Sequence, residues 1–415
     1  MKVLIVTQYF WPENFRINDL ATGMKDRGHE ITVLTGKPNY PSGRFYGGYG
    51  FFSKRREMHE GMKVIRAPLL PRGRAGGFRL ALNYFSFAFA AALSAAFSCR
   101  DKYDVIFVYA PSPITVALPA IVLKWICGVP IMLWVQDLWP ESVSATGGIR
   151  SAWILRLIER MVKFIYRGTD RILVQSEAFR PLIERLGVSL ERITYFPNSA
   201  EELYRPVTLP SDAVERTLVP AGFCVMYAGN IGSAQSFETI LSAAERLRLY
   251  PDIRWVVLGD GRMASWVRAQ VTERGLSGTV HMLGRHPLES MPRFFSLADA
   301  MLVTLKNEPI LELTIPGRVQ SYLACGKPII AGINGEGARI VREAAAGLTP
   351  SAENPEELAN AVLEMYRMSG AEREAMGARG RQYFEIHFER NVLLERLDGW
   401  LNDLGKGVAL CKSRS

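Results

Sequence analysis

Residues Thr304–Gly332, TLKNEPILELTIPGRVQSYLACGKPIIAG, place a loop, a helix start and a short apolar strand in the order that an anion-binding turn requires. Pro316-Gly317 heads a helical pattern carried by Val319, Tyr322 and Leu323, so the unpaired N–H groups of the first turn are offered beside the guanidinium of Arg318. Gly326 is placed to end that helix, and Pro328–Ala331 reads as an interior strand. Phosphates bind at such helix starts in the crevice of an α/β sheet. That chemistry points to a transferase acting on a nucleotide sugar, although an ordinary helix-strand unit accounts for the same residues without a ligand.

Two further turns stand at strand ends. Gly229-Asn230-Ile231-Gly232-Ser233-Ala234-Gln235 follows the apolar run Phe223–Ala228; its glycines let backbone approach a ligand, and Asn230 and Gln235 offer neutral donors at a second helix start. A diphosphate fits there, and so does a plain glycine turn. Leu258-Gly259-Asp260-Gly261 lacks the third glycine and the ribose acid of a dinucleotide fingerprint, which disfavours a nicotinamide cofactor. Arg285-His286, after the run Val280–Leu283, borders the nucleotide or forms a solvated loop.

In the first half, the strand Ile131–Val135 runs into Gln136-Asp137-Leu138-Trp139-Pro140-Glu141-Ser142. Asp137 is the first candidate to deprotonate or orient an acceptor hydroxyl, Glu141 the second, and Trp139 has the ring to stack on a sugar. An unperturbed Asp is a weak base near neutrality, so this role needs burial to raise its pKa; the alternative makes Asp137 a helix cap. The loops Gln8–Arg16, with Trp11, Glu13, Asn14 and Arg16, and Lys37–Gly43, with Asn39 and Tyr40, mix aromatic and polar groups as a glycan or lipid-diphosphate acceptor requires. The histidines are scattered, and no metal or tightly bound cofactor is expected.

The positioning elements are two series of short apolar strands separated by helical patterns. Strands are expected at Val3–Thr7, Ile31–Thr35, Val64–Ala67, Val105–Tyr109, Ile131–Val135, Arg171–Gln175 and Thr194–Pro197. The second series is Phe223–Ala228, Trp255–Leu258, Val280–Leu283, Ala300–Thr304 and Pro328–Ala331. A chain of 415 residues exceeds one growing core. The expected domains are 1–198 for the acceptor and 199–390 for the nucleotide sugar, with a helix 391–405 returning to the first domain, a flexible tail 406–415, and the ligands in the cleft between the two sheets. The five widely spaced cysteines argue against a disulfide framework and fit a reducing cytosol, and the apolar run after Met1-Lys2 is too short for a signal peptide.

The net charge of +9 concentrates between Lys54 and Arg79, where eight cations face two acids. The apolar stretch Leu80–Ser98 follows, interrupted by Asn83, Ser86, Ser94 and Ser98, and close to the roughly 20 residues that span a bilayer. A basic loop leading into an aromatic helix is the pattern of an interfacial anchor on an anionic leaflet, with Arg55, Arg56, Arg72, Arg74, Arg79, Phe85 and Phe89 as its contacts across 54–98. A buried helix under a solvated basic loop reads the same way. Nucleic acid is not expected, because no recognised binding module accompanies the charge.

The segments QYFWPE, TGKPNYPSG, QDLWPES, FPN (Phe196–Asn198), YAGNIG, LGDG and IPGRVQSYLACGKPII resemble those of the GT-B glycosyltransferases of family 4, in the branch that builds O-antigen, capsule and colanic acid and includes L-fucosamine transferases. The resemblance implies an α/β fold of two facing Rossmann-like domains with an interdomain cleft. It also implies transfer of an N-acetylated amino or deoxy-amino sugar from a UDP-sugar to a lipid-linked (polyprenyl diphosphate) glycan at the cytoplasmic face of the bacterial inner membrane, with retained configuration. Where many members carry two glutamates eight residues apart, this chain has Leu313 and Ser321; where they carry the Arg and Lys of the diphosphate clamp, it has Asn230 and Gln235. Arg318, with Lys306 or Lys327, is therefore expected to neutralise the diphosphate, and Gln320 and Ser321 to meet the ribose. A UDP-sugar 2-epimerase of similar architecture and a non-catalytic membrane-associated relative remain the alternatives.

Overall fold

The computed structural model describes residues 1–73, 77–98, 102–145 and 151–412. Two units are resolved, Met1–Phe196 together with the chain from Leu394 onward, and Pro197–Leu393. The first holds β1 (Lys2–Val6), β2 (Glu30–Thr35), β3 (Arg56–His59), β4 (Met62–Arg66), β5 (Val105–Ala110), β6 (Ile131–Val135), β7 (Arg171–Val174) and β8 (Ile193–Tyr195), in the order β3-β4-β2-β1-β5-β6-β7-β8. Among the described residues only the β3–β4 pair is antiparallel. The second holds β9 (Phe223–Ala228), β10 (Ile253–Leu258), β11 (Val280–Gly284), β12 (Ala300–Thr304), β13 (Ile329–Gly332) and β14 (Gly347–Leu348), in the order β11-β10-β9-β12-β13-β14.

Strands of this kind are buried on both faces, which is why they read as continuous apolar runs: VIFVYA of β5, IMLWV of β6 and FCVMYA of β9 are buried at every position. In each unit the strand order reverses beside the first strand, between β1 and β5 and between β9 and β12, and the doubly wound fold opens a crevice at such a point at the carboxyl ends of the strands. Helices α1 (Arg16–Asp26), α2 (Gly77–Ser98), α3 (Leu118–Cys127), α4 (Glu141–Ala145) and α5 (Ala152–Gly168) make crossovers of the first unit.

The hairpin β3–β4 differs from the basic loop expected at Lys54–Arg79. Glu60 and Gly61, both at positive φ, turn the chain tightly, a Glu-Gly pair being a weaker signal than Asn-Gly. The consequence for the charge is large. Arg66 is fully buried and pairs with Glu57, and its guanidinium also donates to the carbonyls of Gly36 (3.1 Å) and Trp11 (2.5 Å), so it is a tie between loops and no part of a basic surface.

At the other end, the helix Arg390–Lys412 continues through 406–412, which the composition alone suggested was tail; no proline interrupts it, and 413–415 lie outside the described residues. Its Leu397 and Leu401 are buried, Asp398 Oδ1 meets His29 Nε2 at 2.7 Å, and Trp400 packs edge-on to Phe196 at 5.7 Å.

The glycine turns of the second unit leave no room for a side chain. A Cβ on Gly259, whose φ is +139°, would fall 1.9 Å from the carbonyl oxygen of Gly229. Gly259→Ala is expected to lower the unfolding free energy by at least about 1 kcal/mol, read from urea unfolding, because both the backbone conformation and the contact reject it.

Candidate functional site

The second unit contains a cavity of about 620 Å³ at the carboxyl ends of its strands. Gly229 and Asn230 after β9, Asp260 and Gly261 after β10, Arg285 and His286 after β11, and Arg318, Ser321 and Tyr322 of the helix Gly317–Ala324 contribute to its wall. That helix is held to β9 by one hydroxyl: Tyr322 Oη accepts from the Ala228 N–H at 3.1 Å and donates to the Ala228 carbonyl at 3.2 Å. Pro316 is its N-cap, so Arg318 stands in the first turn. The Arg318 guanidinium lies 4.7 Å from the Tyr227 ring centroid, and a Cβ on Gly229 would come within 3.1 Å of its Nη2. Nη1 of Arg318 is buried and has no hydrogen-bond partner. A buried cationic donor left unspent at a helix N-terminus, beside glycine backbone, is the arrangement that an anionic oxygen satisfies.

Of the residues read as donor contacts, the cavity brings together Gly229, Asn230, Arg285, Arg318 and Ser321. Gln235 does not line it: its Oε1 accepts from Gly232 N–H at 3.0 Å and closes its own turn. Gln320 is buried, with Nε2 on the Asn198 carbonyl at 2.5 Å, so it holds the 197–200 segment. Lys306 is tied through its backbone N–H to Ala234. Lys327 donates to the carbonyls of Ser296 and Ala298, and burial lowers its pKa; it is a structural tie. Sequence reasoning missed Tyr204, Leu288, Met291 and Phe295 on the cavity wall, whereas His286, read as bordering the nucleotide or lying in a solvated loop, lines it. For Leu288, Met291 and Phe295 the available signal was their place after β11, next to Arg285 and His286; Tyr204 precedes β9 and had no such signal.

The first unit gathers a second cluster at the ends of β1, β5 and β6. Asp137 sits among Ser112, Trp139 and Ser142; burial raises its carboxyl above the ordinary range, and those three side chains with the Leu138 backbone oppose the rise. Trp139 Nε1 donates to Ser112 Oγ at 3.3 Å, and the Trp139 ring lies 6.4 Å from that of Tyr84, itself linked to Tyr9 and Ser112. Asp137 is not a helix cap, because α4 begins at Glu141, which is half-buried in its first turn. Ser112 and Tyr84 escaped the sequence reading, although Ser112 follows β5 at the point where the strand order reverses.

The aromatic loops fold against each other. Tyr9 stacks on Phe15 at 4.7 Å and meets Tyr40 edge-on at 5.8 Å, while Arg72 lies 5.1 Å from the Tyr40 centroid and reaches Tyr9 Oη at 3.3 Å. Arg72 therefore belongs to these loops, which corrects its assignment to a free basic surface. Trp11 stacks on His59, Asn14 is exposed, and Arg16 opens α1. Glu13 and Asn39, read as acceptor contacts, are buried and engaged: Glu13 Oε1 accepts from the N–H groups of Asn39 and Tyr40, both at 2.7 Å, and Asn39 Oδ1 accepts from Arg72 N–H at 3.1 Å. Their role is to fix the loop that presents Tyr40.

The basic and aromatic contacts expected on a membrane divide. Arg55, Arg56 and Arg79 are exposed, as are Phe85 and Phe89, and Arg74 lies outside the described residues. Helix α2 is long and apolar enough to cross a bilayer by length and composition. Yet it buries Asn83, Tyr84, Phe87 and Ala91 on one side, where Asn83 Oδ1 accepts from Gln8 Nε2 at 2.7 Å.

Residues 14–199 match the glycosyl transferase 4-like domain family and residues 217–383 the family of glycosyl transferases group 1. The chain is 23% identical over 338 residues to WcaI of Escherichia coli K12, a protein named for colanic acid biosynthesis, covering 79% of this chain and 82% of that one. It is 24% identical to the glycosyltransferase WbjE of Pseudomonas aeruginosa, covering 79% of each. Among solved structures it is similar to sucrose-phosphate synthase of Thermosynechococcus elongatus, with TM-score 0.72, 16% identity and coverage of 98% and 99%. It is also similar to HepE of Anabaena, solved with UDP and glucose, with TM-score 0.69, 16% identity and coverage of 97% and 100%. The chain belongs to the GT-B glycosyltransferases of family 4, built on two Rossmann-like domains.

Burial pushes the Glu13 carboxyl up to about 7 from its ordinary 4.5, against the opposing N–H donors of Tyr40 and Asn39 and the charge of Arg66. The folded chain keeps this proton over a range where the unfolded chain has released it. Glu13 therefore stabilises fully below about 4.5, and its contribution is lost as pH rises to about 7. Glu13→Gln keeps an oxygen for both N–H groups and cannot titrate. Urea unfolding against pH is expected to show the variant gaining on the wild type across that window, by roughly 3 kcal/mol in total.

Proposed function

We propose that this enzyme transfers a sugar, of the N-acetylated amino or deoxy-amino class, from a UDP-sugar to a lipid-linked (polyprenyl diphosphate) glycan during assembly of a bacterial surface polysaccharide, with retention at the anomeric carbon. The observation that carries the donor reading is the unpartnered Nη1 of Arg318 in the strand-end cavity. With neutral Asn230 beside it, Arg318 is the cation that meets the diphosphate, Gly229 lets the phosphates approach the backbone, and Ser321 meets the ribose. The UDP complexes of HepE and of an E. coli trehalose-6-phosphate structure with UDP-2-fluoro glucose support the choice of uridine nucleotide, and the names of WcaI and WbjE support the polysaccharide setting.

Asp137, with its raised pKa, takes the proton of the acceptor hydroxyl or orients it, while Trp139 stacks on the sugar and Glu141 assists. The acceptor's lipid is supported by α2: one side of this helix supplies Tyr84 to the Asp137 cluster, and the other exposes Phe85 and Phe89. Arg55, Arg56 and Arg79 add charge suited to the anionic cytoplasmic leaflet, where the protein works as a peripheral enzyme.

Arg318→Ala is expected to weaken UDP binding roughly ten- to a hundredfold in calorimetric titration, as loss of about 1.5–3 kcal/mol from a charge-assisted contact. Unchanged affinity would remove the donor assignment. Asp137→Asn is expected to lower kcat by about two to four orders of magnitude while leaving the UDP dissociation constant intact; equal losses in both would assign Asp137 to folding.

A further inference from the structure

Helix α5 carries an exposed face that the sugar-transfer chemistry does not use. Its Val162, Ile165 and Tyr166 are buried, whereas Trp153, Leu157 and Phe164 are 66%, 53% and 45% exposed. Arg156, Arg160 and Arg167 are exposed as well. These six recur at three- and four-residue spacing opposite the buried side, so they share one face. The single acid of the helix, Glu159, is engaged at its flank by Lys163 at 2.6 Å. A solvated helix normally turns polar residues outward; this one turns out large apolar rings interleaved with guanidinium groups, the composition of a helix lying in a lipid interface.

Topology sets this face beside a second one. The crossovers β4 to β5 through α2, β5 to β6 through α3, and β6 to β7 through α4 and α5 all advance in the same direction along the sheet. Right-handed connections therefore lay α2, α3 and α5 on the same side of it. Their outward faces continue one another. Phe78, Leu82, Phe85, Phe89, Leu93 and Phe97 are exposed along α2, Trp125 and Ile126 at the end of α3, and Trp125 meets Phe164 of α5 edge-on at 6.0 Å.

We infer that α5 is a second membrane-contacting element, and that the layer α2–α3–α5 docks flat on an anionic lipid surface, with Trp153, Leu157 and Phe164 inserted at headgroup depth and Arg156, Arg160 and Arg167 on lipid phosphates. The inference rests on the peripheral-membrane reading for its occupant and extends the contact beyond residues 54–98. In this arrangement α2 lies in the plane of the interface, because its other side is committed to the sheet through Asn83, Tyr84 and Phe87. Charge decides the occupant: a face with three arginines and no carboxylate repels a second copy of itself and attracts an anionic leaflet.

The test is co-sedimentation of the full chain with vesicles of phosphatidylcholine alone and of phosphatidylcholine mixed with phosphatidylglycerol. The proteins are the wild type, Trp153→Ser/Leu157→Ser/Phe164→Ser, Arg156→Gln/Arg160→Gln/Arg167→Gln, and Phe85→Ser/Phe89→Ser, each checked for wild-type melting temperature. The wild type is expected on the anionic vesicles, and the arginine triple variant is expected to lose affinity on the order of a hundredfold, about fivefold per cation. The apolar triple variant is likewise expected to lose binding to the anionic vesicles. If both α5 variants bind as the wild type does while Phe85→Ser/Phe89→Ser fails, α5 is not a membrane element and the peripheral reading stands on α2 alone. If the wild type ignores every vesicle, both readings fall. A wild-type dimer in sedimentation equilibrium that the apolar α5 variant dissociates would overturn the inference in favour of self-association.

Discussion

Parallel strands cannot be joined by tight turns, and this constraint organises the molecule. Outside the β3–β4 hairpin each strand must be followed by a crossover, so within a sheet the loops leaving the parallel strands emerge along one edge, at the carboxyl ends. The sheets are buried on both faces and can carry few polar groups of their own; the chemistry collects where backbone leaves the ladder. In the first unit that edge gathers Tyr9, Ser112, Asp137 and Trp139, and in the second Gly229, Asp260, Arg285 and Arg318. The reversal of strand order beside β1 and again beside β9 spreads neighbouring loops apart and leaves the space that each cluster borders.

Within the second unit the decisive local contact is between the helix Gly317–Ala324 and the end of β9. The paired hydrogen bonds of Tyr322 with Ala228 fix the helix, and the helix carries Arg318 to the bare backbone of Gly229. Burying a guanidinium donor without a partner is costly. Among the described residues the buried guanidinium nitrogen without a partner is Nη1 of Arg318, beside glycine turns, and the proposed diphosphate would remove that cost. Neutral Asn230 and Gln235 are compatible with this economy: Gln235 holds its turn, and the charge is supplied by Arg318.

Helix α2 joins the two kinds of surface in the first unit. Polar Asn83 and Tyr84 face inward to the site loops, while the phenylalanines face outward. In the proposed reaction, an acceptor whose glycan enters the Asp137 cluster would keep its lipid close to the same helix. The arginines before and at the start of α2 serve two purposes that composition cannot separate: Arg66 and Arg72 knit loops together, and Arg55, Arg56 and Arg79 remain on the surface.

The sequence by itself determined the two αβ series, most strand positions within a residue or two, the helix start at Pro316-Gly317 and the aspartate after β6. Each of these is a local signal: an apolar run the length of a strand, a proline before a helical period, a polar cluster after a strand. The short strands Arg56–His59 and Gly347–Leu348 escaped because neither has an apolar run of its own, and each owes its existence to a neighbour already in place. Only the tertiary structure decided which side chains were spent. Gln320 and Ser321 are adjacent on one helix, yet one ties down Asn198 while the other lines the cavity; Glu13 and Asp137 are both acids after strands, yet one fastens a loop and the other stands among Ser112, Trp139 and Ser142. Direction of a side chain around a helix or loop is set by distant partners, and distance in space is the quantity a linear pattern does not carry.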